Sequence, residues 1–413
     1  MHTLIRPFRA LRPVPEHAAA VVAPPYDVLN TAEARQRADA RPASFLHISK
    51  PEIDFPEGTD PCAPAVYARG AENLRRLIDT GVLVRDEKPH YYIYQLRMGE
   101  HVQTGIACVG SVAEYDRNRI RKHEFTRPDK EDDRVRQITA LNAQTGPVLL
   151  AYRGSAELHQ IIRQNSQGFP ACEVTADDGV VHTIWVLKDP GQISAVTRIV
   201  GAMDSLYIAD GHHRSASASR VAAARNAGNP HHSGDLDYNY FLCVAFPHNE
   251  MRIFDYNRVV KDLNGLAPAN LLLRIGQKFA VERVTRPAKP KRAGQFGMYL
   301  DGSWYQLDLR PELIPADPVA SLDVSLLQDQ LLAPVLGIGD PRLDKRIDFV
   351  GGIRGLGELE RRVDSGEMAV AFALFPTSFE ALMAVADANH VMPPKSTWFE
   401  PKLADGLLSH VLD

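Results

Sequence analysis

The chain has 413 residues, of which 45% are hydrophobic and 24% are charged. This balance excludes a disordered or collagen-like chain, and the length supports a sizeable core divided over two or three domains. The formal net charge of -4 argues against a protein that coats nucleic acid, so basic residues would serve phosphate groups only in local patches.

The cysteines and the apolar runs indicate the compartment. The four cysteines are widely spaced without a CxxC pair, which argues against a zinc ribbon or a disulfide framework and fits a reducing environment. The N-terminus lacks the apolar stretch and cleavage site of a secretory signal. The longest apolar run, residues 368–375, is far shorter than the ~20 residues of a membrane helix. We therefore expect a cytoplasmic protein that does not enter a membrane.

Helical and strand patterns alternate along the chain, which predicts a mixed α/β (α+β) class. In chain order we predict a helix over 31–40, a strand over 46–49, a helix over 67–80, strands over 91–96 and 106–115 joined by a hairpin at 99–100, a helix over 131–143, strands over 148–152 and 181–187, a helix over 192–203, a strand over 205–209, a helix over 215–227 and a buried strand over 240–246. After a basic, Pro-containing linker we predict a hairpin over 296–309, a helix over 324–336, a strand over 368–375, a helix over 379–389 and an irregular tail over 392–406.

The domain boundaries follow from the linker and from the change of pattern around it. The linker over 286–294 has four cations and no acid, which is typical of a solvated segment, and a contact with nucleic acid is the alternative. We predict one part over 1–260, with a further division near residue 115 as an alternative. The second part covers 261–413 and ends in a docked tail.

The strongest local signal is a hydrophobic strand that runs into Asp210-Gly211-His212-His213-Arg214 and then into an Ala-rich helix. The N–H groups and the dipole of a helix N-terminus favour an anion, and glycine lets the backbone approach a phosphate closely. Arg214 would bind phosphate oxygens through two nitrogens, and the two histidines would add donors. Asp210 could cap the helix, fix a histidine tautomer or bind a metal. A tight turn without a ligand is the alternative.

The second signal is the charged segment 117–136, which contains eight Lys or Arg and five Asp or Glu. Lys122, His123 and Glu124 follow the strand that is predicted to end near Tyr115, where active-site groups commonly lie. A cationic loop with one carboxylate suits phosphoryl transfer, because cations neutralise phosphate oxygens while Glu124 binds Mg²⁺ or accepts a proton. A solvated charged face is the alternative interpretation.

The third signal is the C-terminal segment 392–402, which combines aromatic residues, prolines and lysines. Chain ends are usually mobile and polar, so this composition predicts a tail that is docked on the body of the protein. The functional interpretation places Lys395, Ser396, Thr397 and Lys402 at the rim of the same phosphate site. Docking with a purely structural role is the alternative.

A fourth segment, Pro24-Pro25-Tyr26-Asp27, is rigid and extended because of its two prolines. Its carboxylate has two candidate roles. Asp27 would act as a general base, or it would cap the helix that begins near Thr31.

Taken together, these segments resemble a known family. APPYDV, KHEFTRPDKEDDR, QTGPVLLAY, ADGHHR and MPPKSTWFEPK occur in this order, from about Pro7 to Leu408. The set is similar to that of a conserved domain-of-unknown-function family, number 1015. That family is in turn distantly similar to the ParB/sulfiredoxin superfamily, which implies a ParB/sulfiredoxin-like nucleotide-binding core with insertions in residues 1–260 and a smaller α+β domain after it.

The resemblance also implies a chemistry. ParB proteins hold nucleotide phosphates with a Gly-x-Arg-Arg turn, and sulfiredoxins use a Gly-Cys-His-Arg turn that Gly211-His212-His213-Arg214 resembles. Because His212 stands where sulfiredoxins have cysteine, thiol repair is disfavoured. Other members of the superfamily are free serine kinases, which form O-phosphoserine from serine and a nucleotide. They use a glutamate near the N-terminus as base; none here matches it clearly, which leaves Asp27 and Glu124 as candidates.

The implied function is therefore a kinase that uses ATP or ADP with Mg²⁺ and phosphorylates free L-serine or a similar small hydroxyl compound. The candidate catalytic residues are Asp27, Lys122, His123 and Glu124. The candidate metal ligands are Glu124 and Asp210. The candidate nucleotide and phosphate ligands are Asp210, Gly211, His212, His213, Arg214, Lys395, Ser396, Thr397 and Lys402.

Two other functions remain open at this stage. One is a ParB-like nucleotide-binding regulatory or DNA-associated protein without kinase activity, and the other is a nucleotide hydrolase or phosphatase. The net charge and the lack of a basic recognition helix after the linker argue against DNA. We expect a nucleotide and a small hydroxyl compound as ligands, with a homodimer as a further expectation.

Overall fold

The computed structural model describes residues 3–413, which form two compact units. The first unit contains the residues up to Met251 together with Pro401–Asp413, and the second contains Arg252–Glu400. The boundaries predicted from the sequence, including the division near 115, stay predictions about independently folding domains. Among the helices of the described residues, none has the length and apolar character that crossing a bilayer requires.

The described residues form strands of two to eleven residues. The strands are β1 Ile5–Arg6, β2 Ala10–Pro13, β3 Leu83–Arg85, β4 Tyr91–Met98, β5 His101–Ser111, β6 Ile120–Arg121, β7 Ala143–Gln144, β8 Val148–Tyr152, β9 Cys172–Thr175, β10 Val181–Leu187, β11 Leu206–Asp210, β12 Tyr240–Pro247, β13 Arg252–Phe254, β14 Tyr256–Val260, β15 Phe279–Val284, β16 Gln295–Leu300, β17 Ser303–Leu309, β18 Ile347–Gly351, β19 Val370–Ala373, β20 Trp398–Glu400 and β21 Ser409–Val411.

Helices alternate with these strands, which confirms the mixed α/β class. The α-helices are α1 Ala18–Val21, α2 Thr31–Ala38, α3 Leu46–Ser49, α4 Pro64–Asp79, α5 Val112–Asp116, α6 Pro128–Leu141, α7 Ala156–Asn165, α8 Pro190–Gly201, α9 His212–Gly228, α10 Pro268–Ile275, α11 Asp323–Leu327, α12 Leu356–Asp364 and α13 Phe379–Asp387. Short 3₁₀ turns include Tyr26–Val28, and a π-helical turn, Gln328–Leu332, follows α11.

A nine-stranded mixed sheet forms the centre of the first unit, in the order β6-β11-β8-β12-β5-β4-β10-β9, with β1 paired to β5. Alternate residues of each strand face one side, and on β8 these are Val148, Leu150 and Tyr152. They share one buried apolar cluster with residues of α7, α8 and α9. The sheet and this cluster hold the ends of β6 and β11 in place, where the candidate residues lie.

A second, four-stranded sheet brings the two ends of the chain together in the first unit. Its order is β3-β2-β21-β7, so the strand nearest the C-terminus pairs with one near the N-terminus. An isolated bridge pairs Ala23 with Asp405 in the same region. The segment that carries Asp27 and the segment after Glu400 are therefore neighbours.

The second unit is built on a six-stranded sheet in the order β15-β17-β16-β19-β14-β18. The hairpin predicted around Asp301-Gly302 is confirmed as β16 and β17. A two-stranded sheet of β13 and β20 joins the beginning and the end of this unit.

Most predicted elements are confirmed, and four need correction. The tail predicted to be irregular over 392–406 contains strand β20, which pairs with β13. Residues 46–49 are a turn of α-helix rather than a strand, since a four-residue segment with two apolar residues is too short to distinguish the two. The strand predicted over 106–115 ends at Ser111, where the serine side chain caps α5. The helix predicted over 324–336 is divided into α11 and a π-helical turn.

Candidate functional site

The Gly211 turn connects β11 to α9 and determines the geometry of the site. Gly211 has a φ of +98°, and a Cβ atom there would lie 3.1 Å from Arg214 Cζ and 3.3 Å from Val148 Cα. Glycine is therefore required by both backbone conformation and space. Gly211 is also the N-cap of α9, and among residues 3–413 no side chain caps this helix. The first N–H groups of α9 thus lack partners within the helix, and they lie at the positive end of its dipole.

Arg214 supports the turn from inside, and only 9% of its side chain is exposed. Its Nη2 atom lies 3.0 Å from Asp210 Oδ2 and 3.8 Å from Asp27 Oδ2, while Nη1 donates to the Pro147 carbonyl oxygen. Burial lowers the pKa of Arg214, but the two carboxylates outweigh burial and raise it above its ordinary value. Arg214 therefore holds two carboxylates beside the turn, and its direct contact with a phosphate stays a prediction.

Asp210 does not cap α9 but lies between two cations. Its Oδ2 atom accepts a hydrogen bond from Arg214 and lies 3.7 Å from Lys402 Nζ. Burial alone would raise the pKa of Asp210, but the charges of Lys402 and Arg214 outweigh it and hold the pKa well below its usual value. The structure thus brings Lys402 to the Gly211 turn.

The cationic loop, residues 122–127, reaches the same turn from a neighbouring strand. It follows β6, which pairs in parallel with β11, so both strands end at the same edge of the sheet. The His123 backbone N–H donates to His212 Nε2 at 3.4 Å. This bond leaves the proton of a neutral His212 on Nδ1, which lies 3.6 Å from Glu124 Oε2. Glu124 is therefore placed on the His212 side of the turn.

The histidines fasten the cationic loop to α9. Besides the bond to His212, His213 Nε2 accepts from the Arg127 backbone N–H at 3.0 Å. Burial lowers the pKa of His212 and His213, and it lowers that of His123 to about 4. All three rings are thus neutral at pH 7 and add no cationic charge for a phosphate.

Lys122 and Glu124 line a groove of about 370 Å³ beside His212. The Lys122 ammonium lies 4.0 Å from the centre of the Tyr115 ring, and burial lowers its pKa. Phe125, also in the groove, is 75% exposed. The groove runs along the face of α9 that begins at the Gly211 turn.

Asp27 lies on the other side of the turn, in the 3₁₀ turn Tyr26–Val28. Its proposed role as a helix cap is wrong, because Asn30 caps α2 and forms a capping box with Glu33. The side chain of Asp27 is 42% exposed. It is therefore free to meet a substrate while it stays close to Arg214.

Asp405 is a buried residue of the site that the sequence analysis missed. Only 1% of it is exposed, and within residues 3–413 neither carboxylate oxygen forms a hydrogen bond. It lines a cavity of about 30 Å³ together with Tyr26, Arg134 and Arg214. Burial raises the pKa of Asp405 to about 7, although the positive charge of Arg214 acts to lower it. The sequence contains one signal for this residue, because Ala-Asp-Gly occurs at 404–406 as it does at 209–211. In the structure both glycines have positive φ.

Lys395, Ser396 and Thr397 belong to the second unit. The Lys395 carbonyl oxygen accepts from Arg258 Nη2 at 3.0 Å, and Ser396 Oγ donates to the Pro393 carbonyl oxygen at 2.6 Å. Thr397 directly precedes β20. These contacts fix the segment within its own unit, and a role for the three residues in phosphate binding stays a prediction.

The predicted metal ligands do not form a metal centre. Asp210 faces two cations, whereas Glu124 faces His212, and among the described residues no group of three or more His, Cys, Asp or Glu could hold a metal ion. Mg²⁺ bound with a nucleotide takes many of its ligands from phosphates and water. The described residues therefore do not provide a metal site of their own.

Substitution of Gly211 by alanine tests the strained turn. We expect G211A to lower the free energy of unfolding by about 1–3 kcal/mol, because its Cβ would press on Arg214 in a disfavoured backbone conformation. Gly228, the last residue of the same helix, has no atom within 4 Å of a Cβ, so G228A serves as the control and should change stability by less than about 1 kcal/mol. Urea unfolding measures both. Equal effects would contradict the strained geometry.

Comparison with known protein families shows which family this chain belongs to. Residues 5–325 match the family described as "Protein of unknown function (DUF1015)". The chain belongs to this family. The resemblance to this family is thereby confirmed, with four of the five motifs inside the matched residues; the part of the fifth motif, at 392–402, stays a prediction. No protein of curated function matches the sequence.

Several solved structures are similar in part. A free serine kinase variant in complex with AMP is 14% identical, with 75% of this chain and 93% of that chain covered and a TM-score of 0.35. A conserved hypothetical protein from Pyrococcus furiosus is 15% identical, with coverage of 74% and 94% and a TM-score of 0.33. SbnI with C-terminal truncation from Staphylococcus aureus is 12% identical, with coverage of 72% and 85% and a TM-score of 0.39. At these scores the similarity carries no argument about function.

Proposed function

We propose that the chain is a nucleotide-dependent phosphotransferase whose phosphate site is the N-terminus of α9 at Gly211. The observation that carries the proposal is the uncapped start of this helix, with Lys402 beside it and two carboxylates held by Arg214. Backbone N–H groups at a helix N-terminus bind phosphate oxygens well, and α9 is long enough for a full dipole. Asp27 and Asp210 then lie where an acceptor hydroxyl would approach.

The rest of the nucleotide would lie in the groove beside His212. A volume of about 370 Å³ lies within the usual range for small-ligand pockets. Lys122 supplies positive charge there, whereas Arg220 is already paired with two carboxylates, and the exposed Phe125 ring offers a face for a nucleobase. The groove and the turn share His212, so a ligand could occupy both. We assign ATP or ADP as the donor.

The transfer itself needs a proton acceptor, and we assign this role to Asp27. The acceptor hydroxyl oxygen forms a bond to the terminal phosphorus while the bond between that phosphorus and the leaving nucleotide breaks. The hydroxyl proton passes to the Asp27 carboxylate. Asp27 is favoured over Glu124 because it lies beside Arg214 at the turn, whereas Glu124 faces the protonated Nδ1 of His212.

The D27N substitution is expected to reduce kcat by a factor of about 10²–10⁴, because the asparagine amide does not accept the proton of the hydroxyl. The KM for the nucleotide should change little, since Asp27 is assigned to the acceptor hydroxyl and not to the phosphates. The comparison variant is E124Q, which should reduce kcat by less than about tenfold in steady-state assays. A large loss in E124Q with little loss in D27N would transfer the role to Glu124.

The acceptor and the fold family are further parts of the proposal. Free L-serine is assigned as the acceptor from the resemblance of the motifs, and the core of the first unit is assigned as ParB/sulfiredoxin-like on the same basis. The position of Gly211-His212-His213-Arg214, between a strand and a helix, supports this assignment. The assay is phosphoryl transfer from ATP or ADP to L-serine with Mg²⁺. Phosphate release without an acceptor product would instead indicate a hydrolase.

A further inference from the structure

The small cavity behind the Gly211 turn contains buried polar atoms that have no partner. Within residues 3–413, both Asp405 carboxylate oxygens, Ser49 Oγ and Arg214 Nε lack hydrogen bonds, although all three residues are at least nine-tenths buried. The Tyr26 backbone N–H is close to Asp405 but does not form a bond of normal geometry. All four residues line the cavity. Unpaired buried polar atoms are costly, so this arrangement points to a missing ligand group.

The cavity is fixed by backbone contacts on both sides. Asp405 exchanges two backbone hydrogen bonds with Ala23, at 2.9 and 3.1 Å. A Cβ atom at Gly146 would lie 3.3 Å from Arg214 Cδ and 3.4 Å from Asp405 Oδ1, so only a glycine backbone lies between these two side chains. Asp405 is therefore held directly behind the residue that supports the phosphate turn.

The charges around the cavity leave room for one more cation. When Asp405 is ionised, which is its main form above pH 7, the carboxylates near the cavity outnumber the basic groups by one. The carboxylates are Asp27, Asp133, Asp210 and Asp405, and the cations are Arg134, Arg214 and Lys402. The neighbouring histidines are neutral at pH 7. A positively charged ligand group would balance the cluster.

The size and the polar atoms of the cavity select the kind of cation. A volume of about 30 Å³ holds a group of the size of one or two waters, but not a guanidinium or a nucleoside. An ammonium group has three N–H donors for the three unpaired acceptors of the cavity, namely the two Asp405 oxygens and Ser49 Oγ. The unpaired Arg214 Nε–H is itself a donor, so it requires an acceptor oxygen elsewhere on the ligand. The remainder of such a ligand would extend toward Asp27, which is partly exposed.

We infer that Asp405 and Ser49 bind the amino group of the acceptor, so that the substrates are small amino alcohols or hydroxy amino acids. This inference rests on the proposed function, whose acceptor L-serine carries such an amino group, and it assigns the residues that bind that group. Hydroxy acids without an amino group are then poor acceptors. Four groups face Asp405 from the elements around it: Arg214 of α9, Arg134 of α6, and Tyr26 and Asp27 of the 3₁₀ turn.

The test is calorimetric binding to the full chain at pH 8 without nucleotide, with L-serine, ethanolamine and D-glycerate as probes. L-serine and ethanolamine should bind to the wild type, and D405N should weaken the affinity for both compounds by tenfold or more. S49A should weaken the affinity for both compounds several-fold. D-glycerate should bind equally weakly to the wild type and D405N. The matched control is D323N in the second unit, where a buried carboxylate also has one unpaired oxygen; it should leave binding unchanged.

The pH dependence gives a second measure that a purely structural role would not change. Because protonated Asp405 no longer attracts an ammonium group, the affinity of the wild type for L-serine should fall about fivefold between pH 7 and pH 6. D405N should show a flat profile over this range. D-glycerate affinity equal to that of L-serine, unchanged binding in D405N, or no amine binding at all would overturn the inference.

These outcomes are separable from the proposed function. Phosphoryl transfer to D-glycerate as efficient as transfer to L-serine would overturn the inference while the phosphotransferase stands. Amine binding that depends on Asp405, without any phosphoryl transfer, would contradict the phosphotransferase while the amino-group site stands.

Discussion

Replacing Arg214 with methionine is expected to abolish nucleotide binding and to lower the free energy of unfolding by about 3 kcal/mol at pH 7. Methionine fills much of the space but leaves Asp210 and Asp27 without their shared cation. Removing one partner of a buried charge pair costs about 3–5 kcal/mol. The lower end applies here, because a third of the Asp210 side chain is exposed and Lys402 remains near it.

Two further variants make this result interpretable. Arg220 lies on the same helix, but its side chain is 44% exposed and pairs with Glu131 and Asp132, so R220M should cost less than about 1 kcal/mol. The double variant R214M/D210N should recover part of the lost stability, since it removes one of the unpaired carboxylates. Urea unfolding measures all of them. Equal losses in R214M and R220M would contradict the role of Arg214 as the central cation of the turn.

The D405N substitution is expected to stabilise the protein at pH 8 by up to about 4 kcal/mol, although it weakens the binding of amines. Burial raises the pKa of Asp405 from 3.8 to about 7. The stability associated with its protonated form is complete below pH 3.8 and is lost as the pH rises through about 7. Asparagine has no charge to bury, so D405N does not lose stability in this window.

The measurement is the difference in unfolding free energy between D405N and the wild type at pH 4 and pH 8. Other titrating groups are common to both proteins, so the change in this difference reports on Asp405. The difference should be small at pH 4 and should favour D405N at pH 8. A difference that does not change with pH, or one that favours the wild type at pH 8, would show that Asp405 is not a strained carboxylate. A stabilising substitution that weakens binding is the usual sign of a functional residue.

The sequence was most informative where local pattern and chemistry agree. The strand, glycine and helix around Gly211 were predicted because apolar run, turn residue and helix signals lie next to one another. The hairpin at Asp301-Gly302 and the strands over 148–152 and 181–187 were predicted for the same reason. In each case the contacts that decide the structure are close in sequence.

The parts that could not be predicted depend on contacts between distant residues. Arg214 is a partner of Asp27, which lies far from it along the chain. The segment of Asp27 is positioned by the pairing of Ala23 with Asp405, and no local pattern indicates that pairing. The role of the histidines as phosphate donors stays a prediction, and what the sequence did not indicate is that the parallel pairing of β6 with β11 also makes them anchors for the cationic loop. Asp405 was missed because burial, and not residue type, makes it unusual.

Phosphoryl transfer at the Gly211 turn is tested most directly by ³¹P NMR of the full chain with ATP or ADP, Mg²⁺ and L-serine. If α9 at Gly211 is the phosphate site of a phosphotransferase, the resonance of O-phosphoserine should appear with the wild type and be absent with R214M at the same protein concentration. Unchanged nucleotide after prolonged incubation with L-serine and with ethanolamine, or equal product from the wild type and R214M, would contradict it.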